Sequence, residues 1–273
     1  MPAAPRLLDH VEACVDALIE MLGRDLRVGL PLGLGKPAEL VNALYARAKS
    51  DPTLKLTLLT ALSLEKPTPT SKLEVAFLDP FLARVFDGVV ELDYARDTTA
   101  GQLPPNVRVV EFFFRPGSRL SNVAAQRDYI STNYTFAARD VFAQGCNVAM
   151  QAVARRDTDA GTRYSLSCNP DTSPELIALM RAADARGERK VMVVGVVNQN
   201  LPYMAHDAEA LEPTGCWYHN FEYQAERERG LDYRAVLVHG ERIVRQHQVN
   251  DAAGNHAHGD EDDDAGEEQR RQQ

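Results

Sequence analysis

The chain has 273 residues, 44% apolar and 25% charged, enough for one large domain or two small ones, with a core that needs no disulfide or metal. Its net charge of −9 is uneven: residues 251–273 hold eight acids and two arginines, leaving −3 for residues 1–250, so the foldable part has no basic field for nucleic acid. Cys14, Cys146, Cys168 and Cys216 form no CxxC pair, no apolar run nears the roughly 20 residues of a membrane span, and Asp9 and Glu12 break what would be a secretory leader.

The expectation is a reduced, cytoplasmic protein with no membrane or nucleic-acid partner, no metal and no bound cofactor. His256 and His258 form an HxH in the acidic tail, where further ligands are missing.

In chain order, Leu7, Leu8, Val11, Cys14, Val15, Leu18, Ile19 and Leu22 recur at helical spacing and predict a helix over 5–22. "GRDLRVGLP" reads as a strand running into a glycine-proline turn. Pro37 suits a helix's first turn, and Leu40, Val41, Leu44 and Tyr45 give that helix its apolar face. "LKLTLLTAL" (54–62) is a second strand, 66–71 a loop, and 73–87 a helix ending at Gly88. "VRVVEFFF" (107–114) is apolar enough for a sheet covered on both faces. A turn at 115–122 precedes a short helix that ends at Gly145. Residues 146–154 and 162–169 read as strands. "DTSPELIALMRAADARG" reads as a helix capped by Asp or Ser, with Pro174 in its first turn and Gly187 at its end. "KVMVVGVV" (190–197) is the strongest strand signal. Residues 251–273 are low in complexity and read as disordered.

Alternating strands and helices predict an α/β fold with a mostly parallel, helix-covered sheet. Ligands of such sheets bind beyond the carboxyl ends of the strands. Three loops follow strands there: Pro31–Pro37, Ser167–Asp171 and Asn198–Pro202. Gly33-Leu34-Gly35-Lys36-Pro37 fits either a plain tight turn or a loop that brings backbone N–H groups to a ligand. It matches neither GxGxxG nor GxxxxGK[ST], so no nucleotide is implied. Ser167, Asn169 and Asp171 can be a turn with a helix cap or a cluster of ligand contacts. Asn198, Asn200 and Pro202 can likewise shape a loop or contact a carboxylate.

Together, "VGLPLGLGKPAELVNAL", "YSLSCNPD" and "VVNQNLP" resemble the N-terminal domain of the acetyl-CoA hydrolase/transferase family. These are class I CoA-transferases, related in fold to glucosamine-6-phosphate deaminase and ribose-5-phosphate isomerase. The resemblance spans about residues 5–207 and rests on the order and spacing of the three loops. It implies a sheet of the CoA-transferase / ribose-5-phosphate isomerase-like type. It also implies acyl transfer from acetyl-CoA, or another short acyl-CoA, through a glutamyl-CoA thioester resolved by a small carboxylate or by water. Gly33, Gly35, Lys36 and Pro37 map to the oxyanion side of that site. Ser167, Asn169, Asn198, Asn200 and Pro202 map to the facing cleft.

In the family, a second α/β domain supplies the nucleophilic glutamate and much of the CoA surface. The resemblance stops near His206, so the expected organisation is a CoA-transferase-like domain at 1–205, a divergent segment at 206–250 and the acidic tail. Glu209, Glu212 and Glu222 are the acids that the divergent segment offers, none in a matching motif. On this reading the chain is truncated and inactive alone, and the face meant for a second domain favours self-association, with a homo-oligomer as one outcome. The alternative is a non-catalytic α/β binding module or pseudoenzyme. A sugar-phosphate isomerase of the related fold would need an acid–base set that the motifs do not supply.

Overall fold

A computed structural model describes residues 7–159, 161–167, 169–204 and 216–220. The acidic tail, the two tail histidines, Cys168 and Glu209, Glu212 and Glu222 lie outside the described residues.

The sheet is built from β1 (Leu7–Leu8), β2 (Asp25–Gly29), β3 (Lys55–Thr60), β4 (Val107–Glu111), β5 (Val148–Thr158), β7 (Met192–Val197) and β8 (Cys216–Asn220), in the order β1-β8-β7-β5-β2-β3-β4. All pairs along that path are parallel. β6 (Gly161–Ser165) departs from it, folding back antiparallel on the far half of β5. The helices are α1 (Val11–Leu22), α2 (Ala38–Ser50), α3 (Lys72–Val85), α4 (Asp93–Ala100), α5 (Val123–Arg127), α6 (Tyr134–Ala143) and α7 (Ser173–Ala185).

Strand side chains alternate between two cores, as the period-2 geometry of a strand requires. On one face Leu26, Val28, Leu56, Leu58, Val109, Met150 and Val194 meet Cys14, Leu18, Leu40, Leu44 and Tyr45 of α1 and α2. On the other, Leu59, Val110, Ala149, Val153 and Val193 meet Ala137 and Val141 of α6 and Leu176, Ile177 and Met180 of α7. Burial on both faces is why the strands read as near-continuous apolar runs.

The structure corrects several details. The first helix begins at Val11, not at residue 5, because Leu7 and Leu8 pair with Tyr218 and His219 of β8. Their helical spacing is a coincidence that sheet pairing overrides. The third strand stops at Glu111 rather than Phe114, and β6 stops at Ser165. The cap of α7 is Thr172, neither Asp nor Ser, and it makes no side-chain capping bond. Helices α4 and α5 have no counterpart in the sequence reading. The sheet also takes in Cys216–Asn220, from the segment set apart as divergent.

Candidate functional site

From β2 the chain winds outward twice. It runs β2–β3–β4 to one side, then restarts at β5 and runs β7–β8 to the other. The carboxyl ends of β2 and β5 therefore frame the topological switch point, where open parallel sheets leave a crevice. Gly29 pairs with Ala149, after which the two strands diverge.

The loop after β2 makes a 3-10 turn over Gly33–Gly35. Gly33 has φ +52, a left-handed value that suits glycine, and a Cβ there would meet open space. Leu34 beside it is exposed. The N–H groups of Gly33 and Leu34 find no acceptor among the described residues. Pro37 caps α2 with a φ of −79°, which suits its ring and costs no donor. Gly35 is buried against the second loop: a Cβ on it would stand 2.7 Å from the Cβ of Asn169.

Lys36 does not reach solvent. Its Nζ donates to the carbonyls of Ala61, at 2.7 Å, and Leu62, at 3.3 Å, tying the loop after β2 to the end of β3. Burial pushes its pKa down to about 7, with Glu111 and Asp171 pulling the other way. Leu62 is held at φ +45, a conformation that costs about 1 kcal/mol or more for a branched side chain.

The second and third loops are joined by Ser167, whose hydroxyl donates to the carbonyl of Pro202 at 2.8 Å. The Ser165 hydroxyl donates to the carbonyl of Met204 at 2.6 Å, and Arg156 stacks over the ring of Tyr203 at 3.8 Å. Asn198 turns its side chain inward on its own loop, accepting from the N–H of Asn200 at 2.9 Å. Asn200 is exposed. The structure thus brings the three loops together at the switch point. It commits the side chains of Lys36, Ser167 and Asn198 to bracing them, while Leu34 stays exposed.

Two polar groups of the strands escaped the sequence reading. Gln151, in the middle of β5, donates from Nε2 to the carbonyls of Leu166 (3.1 Å) and Asn169 (2.9 Å), so it clamps the second loop from below. Glu111 ends β4 in a buried ion pair, accepting from Arg119 Nε at 3.0 Å; Arg119 also donates to Thr99, and Thr99 to Glu65. A polar residue inside an apolar strand was the available signal in both cases ("VAMQAVA", "VRVVEFFF"). Among the described residues no group of three or more His, Cys, Asp or Glu could hold a metal, and no helix is long and apolar enough to cross a membrane.

Fold and site together define a doubly wound α/β domain whose strand-end loops converge on one crevice. No family model and no curated protein matches the chain. Solved structures to which it is similar include RipA from Yersinia pestis, at 16% identity and a TM-score of 0.48, covering 79% of this chain and 42% of that one. Another is a 4-hydroxybutyrate CoA-transferase from Porphyromonas gingivalis, at 13% identity and a TM-score of 0.37, covering 79% of this chain and 40% of that one. The chain spans about two fifths of the length of these proteins.

Proposed function

We propose that the Gly33–Pro37 loop forms the oxyanion side of an acyl-CoA hydrolase or CoA-transferase site acting on acetyl-CoA or another short acyl-CoA. A second α/β domain supplies the nucleophilic glutamate, and a small carboxylate or water resolves the glutamyl-CoA thioester. The observation that carries this reading is that the N–H groups of Gly33 and Leu34, at a left-handed glycine beside the crevice, find no acceptor among the described residues. Attack on a thioester moves negative charge onto its carbonyl oxygen. Two fixed backbone donors stabilise that charge without reorganising, and they do so best where water is excluded.

Glu111 is not the nucleophile in this reading. Its carboxylate is buried and held by Arg119, out of reach of a thioester in the crevice. In this reading the domain contributes a cradle, and the nucleophilic glutamate comes from the second domain.

The test pairs the chain with a CoA-transferase C-terminal domain and follows release of CoA thiol from acetyl-CoA. Release that needs both components, and falls at least tenfold with Gly33→Pro, is the expected result. No release from the pair, together with no movement of the Gly33 and Leu34 amide resonances on adding acetyl-CoA, would sink the reading.

A second reading, a non-catalytic binding module, draws on the inward commitment of Lys36, Ser167 and Asn198. It gives amide shifts with a ligand but no thiol release from any pairing.

A further inference from the structure

Beneath the second loop lies a small cavity between β2, β5, β7 and the first turn of α7. Its walls include Gly29, Gln151, Leu166, Thr172, Ser173 and Leu176. It has room for roughly one water molecule.

Gln151 is 4% exposed, and its Oε1 has no partner among the described residues. The amide cannot be turned over to cure this. Both partners of its nitrogen are carbonyl oxygens, and a reversed amide would set oxygen against oxygen twice. A buried acceptor left without a donor is destabilising. The same cavity is lined by Thr172 and Ser173, where α7 begins. The first turn of a helix has N–H groups with no intrahelical acceptor, and neither hydroxyl has an intramolecular hydrogen bond among the described residues.

We infer that this cavity is a binding site for one water molecule, and that Gln151 with this water positions the second loop of the crevice. The water donates one O–H to Gln151 Oε1. It accepts from the first turn of α7, through the Ser173 N–H or a hydroxyl of Thr172 or Ser173. A hydrogen-bond donor is required at Oε1 and an acceptor is favoured at the helix start, so the occupant carries both functions in the space of a single oxygen. An anion fails the first requirement, and the lining supplies no charged side chain to hold one. A larger ligand fails on volume.

The loop needs such support. Ser167 is held at φ +56, a strained value for a residue with a Cβ. It lies between the two carbonyls that Gln151 clamps. The water satisfies the other end of that amide, so the clamp is anchored on both sides: to Leu166 and Asn169 through nitrogen, and to α7 through oxygen and water. The inference does not depend on what the crevice binds.

The experiment is a crystal structure of the full chain at a resolution that shows ordered water, with water-to-amide NOE measurements on the same protein in solution. The expected result is density about 2.6–3.2 Å from Gln151 Oε1 and a long-lived water signal at the Ser173 amide. Gln151→Met removes both ends of the clamp. It should abolish that signal and move the amide resonances of Asn169 and Gly35, while those of Leu44 in α2 stay in place. An empty cavity in the wild type, or Oε1 bonded directly to a protein group, overturns the water site. A water signal retained in Gln151→Met with Asn169 and Gly35 unmoved overturns the positioning role. Should the variant fail to fold, the wild-type density and NOE decide the site alone.

Discussion

Gly35 and Asn169 approach so closely that a single added methyl group cannot fit between them: a Cβ on Gly35 would stand 2.7 Å from Asn169 Cβ and 2.9 Å from its Oδ1. The nearest obstacle is the root of the Asn169 side chain, which no rotamer change can move. Gly35→Ala is therefore expected to destabilise by about 1–3 kcal/mol, as overpacking does, and to displace the Ser167–Asp171 loop. Asn169→Ala keeps the offending Cβ and should not relieve it. Asn169→Gly should, and urea unfolding of the four proteins in a double-mutant cycle would show a coupling of opposite sign to the clash. Additive losses would show that the loops do not touch in solution.

Lys36 makes stability depend on pH above neutrality. Its folded pKa is near 7 against an ordinary 10.5, so between those values the unfolded chain binds more proton than the folded one. Stability then rises with pH, by at most about 1.4 kcal/mol per unit for one proton. Below about pH 7 both states hold the proton and this dependence vanishes. Glu111 and Asp171 are the charges that oppose the shift. Cys14 and Cys146, pushed up to about 12 by burial, act in the other direction above their ordinary value of 9.0. The clean window is therefore pH 7 to 9. Thermal unfolding across it should show wild-type stability climbing while Lys36→Met stays flatter. Parallel curves would mean that Lys36 is protonated in the fold.

Arg119 and Glu111 form a pair in which each side chain is at most 5% exposed. Removing one partner leaves the other as an uncompensated buried charge. Arg119→Met should cost about 3–5 kcal/mol, and adding Glu111→Gln should restore part of it. Denaturant unfolding checks both. A loss under about 1 kcal/mol for the single variant would place the pair in solvent.

Helix α3 carries Leu73, Phe77 and Phe81 four residues apart on one face, exposed by 81%, 80% and 51%. Its inner contact is Leu82, and a capping box of Ser71 and Glu74 fixes its start. An exposed apolar stripe of this kind favours association. Sedimentation should show a mass average rising with concentration, and Phe77→Glu should lower it. Monomeric behaviour of both proteins at high concentration contradicts the expectation.

What was legible in the sequence follows from local rules. Apolar runs bounded by turn residues gave β2, β3, β5 and β7 to within a few residues. Helical spacing of Leu40, Val41, Leu44 and Tyr45 gave α2, and the strand-end rule placed the loops after β2 and β7 at one edge of the sheet; the Ser167–Asp171 loop joins them only because β6 folds back antiparallel on β5. Where local pattern and sheet pairing disagreed, pairing won. Leu7 and Leu8 fit a helical stripe yet add a parallel strand beside β8, because their partners arrive from more than 200 residues away in sequence. Helix α4 was invisible to pattern: "DYARDTTA" is polar overall, with only Tyr94, Ala95, Asp97 and Thr98 buried.

The sequence by itself determined the class of fold, since continuous apolar strands between helices can be buried only in a sheet covered on both sides. It also marked a glycine turn after β2 without deciding its use; the structure brings a neighbour close to Gly35 and leaves open space at Gly33. Only the tertiary structure decided what each polar side chain does. Lys36 could have faced a ligand, but its reach to Ala61 and Leu62 turns it inward. Gln151 could have been an incidental polar residue, but the chain reversal into β6 brings two carbonyls onto it. Hydrogen-bond partners are set by which strand ends lie side by side, and that is fixed by long-range sheet order, which no local spacing encodes.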